Sequence, residues 1–398
     1  MPWPRFIGRI TGLSKRNIDG NVQRLKLARS ALRNRGSNMA DWISKTRLAI
    51  AAVAMMAASS CSDGGGAQQA KKTEFSIGWS IYAGWMPWPY AQQAGIVKKW
   101  ADKYGVKINL VQVNDYVESV NQFNAGKLDG VTLTNMDALT IPAAGGKDTS
   151  AIILGDYSNG NDGIVLKNAK GLADIKGRTV YLVELSVSHY LLARGLSSVG
   201  LKLSDVKTVN TSDADIVGAF ANPAATAVVT WNPQLGEVAK LPGAAVAFDS
   251  HDIPAEILDL LAVDTATLKA NPNLGKALAG IWYETIALMQ RQDAGGAAAR
   301  AAMAKMAGST PQSFDAQLST THLYGTPQDA VAAVKSPTLG STMAKVRDFS
   351  FSKGLFGQGA RSADAIGIGL PGKTLGDAGN VKLRFDPTFM ELAAAGKL

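Results

Sequence analysis

The chain has 398 residues, enough for two lobes of ordinary size, and 46% apolar against 18% charged residues is the balance of a globular protein with a real core. Its formal charge of +9 is concentrated at the front: eleven of the 41 basic residues and two of the 32 acidic ones precede Cys61, so the remainder is formally neutral. A basic leader on a neutral body excludes nucleic acid as the partner of the body.

Residues 1–38 are rich in Arg and Lys without hydrophobic periodicity, and Met39 is the better start for a signal peptide. Lys45 and Arg47 precede an apolar run over residues 48–57, too short for the roughly twenty residues that span a bilayer. Ala58-Ser59-Ser60-Cys61 resembles a bacterial lipoprotein box, with Ala58 where that pattern usually has Leu. The expectation is a leader and signal peptide over 1–60 and a lipidated Cys61 on a flexible tether over 61–73, Gly-rich at 64–66. That places the body in the periplasm, held to a membrane only by its lipid. A single cysteine allows no internal disulfide.

In the body, residues 75–79 predict a strand, 82–90 an aromatic loop, and 91–105 a helix closed by glycine. Residues 106–113 alternate as a strand, 115–124 read as a helix and 130–134 as a strand. A second set comes next, with strands at 163–167, 179–183, 225–230 and 244–248 and helices at 188–199 and up to 221. Beyond residue 252 the pattern predicts helices at 255–261, 274–289, 295–306 and 327–334. Strand–helix alternation predicts an α/β protein with mixed sheets and flanking helices.

The order of Ile77-Gly-Trp, Asn124-Ala-Gly-Lys-Leu-Asp-Gly130, Gly155-Asp-Tyr157, Asp162-Gly-Ile-Val-Leu166, Leu172-Ala-Asp-Ile-Lys-Gly177 and Val228-Val-Thr-Trp-Asn-Pro-Gln-Leu235 resembles the nitrate/sulfonate/taurine class of periplasmic solute-binding proteins. The aromatics before residue 90 and the Thr-Trp-Asn-Pro stretch resemble its urea- and guanidine-associated branch. The resemblance implies a two-lobed periplasmic-binding-protein (type II) fold with two crossover hinges, near Asn159 and Phe248. One lobe would hold 74–160 plus 249–398 and the other 161–248. It also implies a small-molecule solute and the permease of an ABC importer as partners, with no cofactor.

In open α/β sheets ligands bind beyond the carboxyl ends of the strands. Reading those positions gives Trp79, Tyr82, Trp85, Asn135, Asp137, Asp156, Asp162, Glu184, Ser186 and Trp231 as the ligand-binding set. Indoles and carboxylates recur there and Lys and Arg do not, which suits a flat cation or hydrogen-bond donor, guanidine first and urea second. Of these, Glu184 stands out, because it interrupts a strand end. The rival solute is an anion such as taurine, a sulfonate or nitrate, for which Ser186 and Ser188 before a helix would supply donors. No catalytic or metal-ligand constellation is present: His189, His251 and His322 are scattered, and the elbow, phosphate-loop and paired-cysteine motifs are missing. The different-class alternative is a thiamine-precursor enzyme on the same fold, whose cysteine-rich motif and histidines are not found here.

Overall fold

Alternating apolar residues at Phe75 and Ile77 bury one edge of β1 (Glu74–Trp79), which the computed structural model, describing residues 72–398, places among parallel neighbours. β1 pairs with β2 (Lys107–Gln112) on one side and β3 (Gly130–Thr134) on the other. Helices Pro87–Gln93, Ile96–Tyr104 and Tyr116–Asn124 make the crossovers that parallel pairing requires. The predicted aromatic loop is more ordered than expected. Ala83–Trp85 is a 3₁₀ turn and Pro87 opens a helix, where its missing N–H costs nothing.

The next strand, β4 (Thr149–Ser158), runs through Asp156 and Tyr157 before the chain crosses to a second sheet. That small sheet contains β5 (Asp162–Lys167), β6 (Thr179–Leu182), β7 (Lys207–Asn210), β8 (Ala227–Trp231) and β9 (Ala244–Asp249), in the order β7-β6-β8-β5-β9. Helix Val187–Ser198 covers it. The chain then returns through residues 250–257 to β10 (Leu258–Asp264).

β10 corrects the sequence reading, which made 255–261 a helix. Its apolar run is buried along nearly its whole length between antiparallel β3 and β4, and a strand of that kind carries no period-2 signal. Five further short strands are also absent from the sequence pattern: β7 of the small sheet, β11 (Thr321–Leu323), β12 (Gly367–Leu370), β13 (Lys373–Leu375) and β14 (Val381–Phe385). The large sheet runs β13-β12-β14-β4-β10-β3-β1-β2, with β11 on β4. Helix Pro272–Met289 packs across it, so close to Ile96–Tyr104 that a Cβ on Gly280 would lie 2.4 Å from the Trp100 ring.

The result is α/β with two lobes and two crossovers, and the crossovers leave neighbouring strands. Leu258 of β10 is the register partner of Tyr157 of β4. Ser250 Oγ ties the two connections together: it shares a hydrogen bond with Ser158 Oγ (2.6 Å) and accepts from Gly160 N (2.8 Å). Glu256 adds a second tie. It accepts from Tyr190 Oη (2.6 Å) and Arg194 Nε (2.7 Å) of the small lobe and from Lys345 Nζ (2.5 Å) of helix Pro337–Ser352. The leader, Cys61 and most of the tether lie outside the described residues. Among the described residues no helix is long and apolar enough to cross a membrane.

Candidate functional site

The strand ends of both sheets converge on one cavity of about 30 Å³ between the lobes. From the large lobe come Ser80, Ile81, Tyr82 and Trp85 after β1, Tyr116 after β2, Thr134 at the end of β3, and Ile257 and Asp259 at the start of β10. The small lobe brings Val187, Asp213 and Trp231, and Asn161 and Asp162 enter from the first crossover. The aromatic rings form a continuous wall. Tyr82 meets Trp85 edge-on at 5.2 Å, Trp85 tilts against Tyr116 at 5.7 Å, and Tyr116 reaches Trp231 across the lobes at 5.9 Å.

Behind and between these rings lie four buried carboxyl groups. Asp156 and Asp259 are register partners on β4 and β10. Tyr82 Oη donates to Asp156 Oδ1 (2.9 Å) and pairs with Thr321 Oγ1 (3.0 Å). A Cβ on Gly84 would stand 2.6 Å from both Asp156 Oδ2 and the Tyr82 ring, so a larger residue there would have to displace them. Asp137 Oδ2 accepts from Tyr116 Oη (2.6 Å) and Thr134 Oγ1 (2.9 Å), and Asp162 Oδ2 accepts from Ser158 Oγ (2.5 Å). Burial pushes Asp137 and Asp162 up to about 6, against the pull of those hydrogen bonds. Burial, and then the charge of Asp156, holds Asp259 well above the usual carboxylate range, while burial pushes Asp156 up to about 6 against hydrogen bonds from Asp259 and Tyr82. At the small-lobe side, burial followed by the nearby Asp115 pushes Asp213 up to about 6. Burial first, and neighbouring carboxylates second, keep the Tyr82 and Tyr116 phenols protonated.

Among the described residues no Lys or Arg lines the cavity. Its surroundings are instead rich in unfilled acceptors: Asp137 Oδ1, Asp156 Oδ2, Asn161 Oδ1 and Ser80 Oγ are buried without a hydrogen-bond partner. Buried acceptors left unpaired are costly, so the cavity calls for donors or protons. Among the described residues no group of three or more His, Cys, Asp or Glu side chains converges closely enough to hold a metal ion.

The structure brings Tyr82, Trp85, Asp162 and Trp231 of the expected set to the cavity wall and puts Asp137 and Asp156 directly behind it. The other four sit elsewhere. Trp79 is core, its carbonyl accepting from Val113 N. Asn135 clamps backbone, donating to Glu256 O and accepting from Leu258 N. Ser186 caps helix Val187–Ser198, its Oγ accepting from Ser188 N (3.2 Å). Glu184 lies off this cavity: it accepts from Thr208 Oγ1 and, together with Asp137 and Ser186 of the expected set, lines a separate crevice with Asn121, Leu185 and Leu355. The cavity residues missed from the sequence are chiefly Asp259, hidden in the misread strand, and Tyr116, which looks like any aromatic on an amphipathic helix. Asn161 and Asp213 read as turn and cap residues.

The family described as NMT1/THI5 like matches residues 90–288, half of the chain. The chain belongs to the NMT1/THI5-like family. Among curated relatives, a protein of Brucella abortus (strain 2308) whose name marks it as a binding protein is 28% identical over 144 residues, 36% of this chain. The chain thus spans 44% of that relative's length. Two solved structures show where the family fold sits among known ones. The alkanesulfonate-binding protein of Xanthomonas axonopodis pv. citri, bound to MOPS, superposes with a TM-score of 0.60 at 17% identity, over 74% of this chain and 98% of its own. The periplasmic nitrate-binding protein of Synechocystis PCC 6803 gives 0.52 at 13% identity, over 69% and 85%. At these identities the likeness establishes the fold, that of periplasmic binding proteins.

Proposed function

We propose that this chain is the extracytoplasmic solute receptor of an ABC importer, and that its solute is a small planar organic cation, guanidinium first among them. One observation carries the cation: four buried carboxyl groups and an aromatic wall surround a cavity with no basic residue on it. A guanidinium edge offers two parallel N–H donors to a carboxylate, and its face stacks on indole, worth about 0.5–2 kcal/mol. A cavity of about 30 Å³ has room for a solute of only a few heavy atoms. Urea fits the size but leaves the carboxylates without a counter-charge.

The receptor role rests on the family, the fold and the position of the cavity between lobes joined by two crossovers. In this reading residues 74–160 with 249–398 and residues 161–248 move as two bodies that close on the solute, and a permease takes delivery from the closed form. Residues 1–60 direct export and Cys61 anchors the mature chain by a lipid.

The second reading is an anion, favoured by relatives of the same fold that bind a sulfonate or nitrate by name. It meets an obstacle at the helix start that brings Val187 to the cavity, where the Ser186 hydroxyl already takes the Ser188 N–H. A thermal-shift screen decides between them. Guanidinium and short amidines should raise the melting temperature while taurine, sulfonates and nitrate do not. Stabilisation by anions alone would overturn the cation assignment. Partition of a Cys61→Ser variant into the soluble periplasmic fraction would support the lipid anchor.

A further inference from the structure

We infer that the empty cleft stores a proton between Asp156 and Asp259, and that a cationic solute binds by displacing it. The inference rests on the cation reading above and adds a regulatory property to it: uptake is coupled to pH.

The two side chains are cross-strand partners on adjacent antiparallel strands, both buried, with Asp259 on the cavity wall and Asp156 one layer behind. Asp156 Oδ1 is taken by the Tyr82 hydroxyl, and Oδ2 has no partner. A carboxyl proton on Asp259 would fill that vacancy. Two ionised carboxylates in this position would face each other without a counter-ion, an arrangement that keeps one of such a pair protonated.

Among the described residues no Lys or Arg is packed against the pair. The β1 loop contributes Tyr82, a neutral phenol, and β3 leads into Asp137, itself a carboxyl group. From the first crossover comes Asp162, again acidic, and β11 brings Thr321 and His322, the latter stacked on Tyr157 at 4.4 Å. Tyr324 follows β11, and Trp282 of helix Pro272–Met289 lies over Gly155. Asp213 faces the cavity from the small lobe. Burial and these neighbouring carboxylates all favour a retained proton.

A guanidinium ion changes the balance. It brings a positive charge and N–H donors that replace the stored proton as partner of both carboxylates. The net event is one cation in and about one proton out to solvent, with no bond made or broken apart from that O–H. Affinity then falls on acidification, because solute and proton compete for the same carboxylates.

Calorimetric titration of guanidinium chloride into the full mature chain, in buffers of different ionisation enthalpy, reads the proton count directly. The expected result is release of about one proton near neutral pH, and a Kd that weakens toward tenfold per pH unit below the pair's apparent titration point. Asp259→Asn puts a permanent N–H donor where the carboxyl proton sits and should fold as the empty wild type does. It should bind more weakly at pH 8, lose proton release and flatten the pH dependence. Binding with no proton exchange and equal affinity at pH 5 and pH 8 overturns the linkage and leaves the cation reading standing. No guanidinium binding at any pH overturns the cation reading, and the linkage with it.

Discussion

At the scale of single residues, the cavity is governed by who satisfies whom. Tyr116 has two roles: its ring bridges Trp85 and Trp231, and its hydroxyl donates to Asp137 while accepting from Thr134 N. Tyr116→Phe keeps the ring and removes the hydroxyl, leaving a buried carboxylate and a buried amide each short of a partner. The expected cost is about 1–3 kcal/mol in denaturant unfolding, with stacking on solute preserved. Gly84→Ala probes a different dependence. Its methyl would press on Asp156 Oδ2 and the Tyr82 ring, so the protein should remain folded but bind guanidinium at least tenfold more weakly, measured by calorimetry. Affinity equal to wild type would show that the Asp156 position is not critical. Much of this chemistry was legible in the sequence, since Tyr82, Trp85, Asp162 and Trp231 announce themselves at strand ends. Glu184 lies off the cavity because it continues the line of β6 beside β7, where its N–H donates to Asn210 Oδ1 and its carboxylate accepts from Thr208 Oγ1, a long-range pairing that the local sequence does not carry.

The elements explain which parts of the fold could be read and which could not. The parallel strands β1, β3 and β6 and their helices carry strong alternation or periodicity, and Asp115 caps one of those helices by accepting from Glu118 N. β10 does not, because a strand flanked on both edges and covered on both faces is apolar throughout. With it went Asp259, the one cavity carboxyl on a segment read as helix. The three- to five-residue strands β11 to β14 are too short to carry a period at all and are defined by long-range pairing alone. Between elements, Glu256 is the main electrostatic tie. Burial raises its titration point, but hydrogen bonds from Arg194, Lys345 and Tyr190 outweigh that and hold it below the ordinary value. Glu256→Gln should cost about 1–2 kcal/mol at neutral pH, less than a fully buried pair because Arg194 and Lys345 reach water. That difference should vanish as pH falls through the folded-state value of Glu256, which urea unfolding of both forms at pH 7 and pH 3 would reveal.

For the molecule as a whole, the buried acids set the pH response of the empty state. Asp137 and Asp162 titrate near 6 when folded and near 4 when unfolded, so the folded chain binds more protons in between. Stability of the empty protein should therefore fall as pH rises from about 4 to about 6, and go on falling above that as the Asp156–Asp259 pair gives up its proton. Saturating guanidinium should flatten the slope, and Asp162→Asn should reduce it without ligand. Melting curves from pH 4 to 8 test all three, and a slope of opposite sign in the empty protein would remove the acids from control of stability.

The adjacency of β4 and β10 also bears on time. If the small lobe swings about the line where both crossovers leave these strands, Asp156 and Asp259 stay with the large lobe, whereas Trp231, beside Asp162 on β8, is carried by the small one. An incoming cation would then feel the carboxylates at encounter and meet the indole only at the end. Substituting Asp259 should slow association and reduce its sensitivity to ionic strength, while Trp231→Ala should leave association nearly intact and speed dissociation several-fold. Stopped-flow tryptophan fluorescence would separate the two rates, and equal effects of both changes on dissociation would show that the arms close before the charge is read.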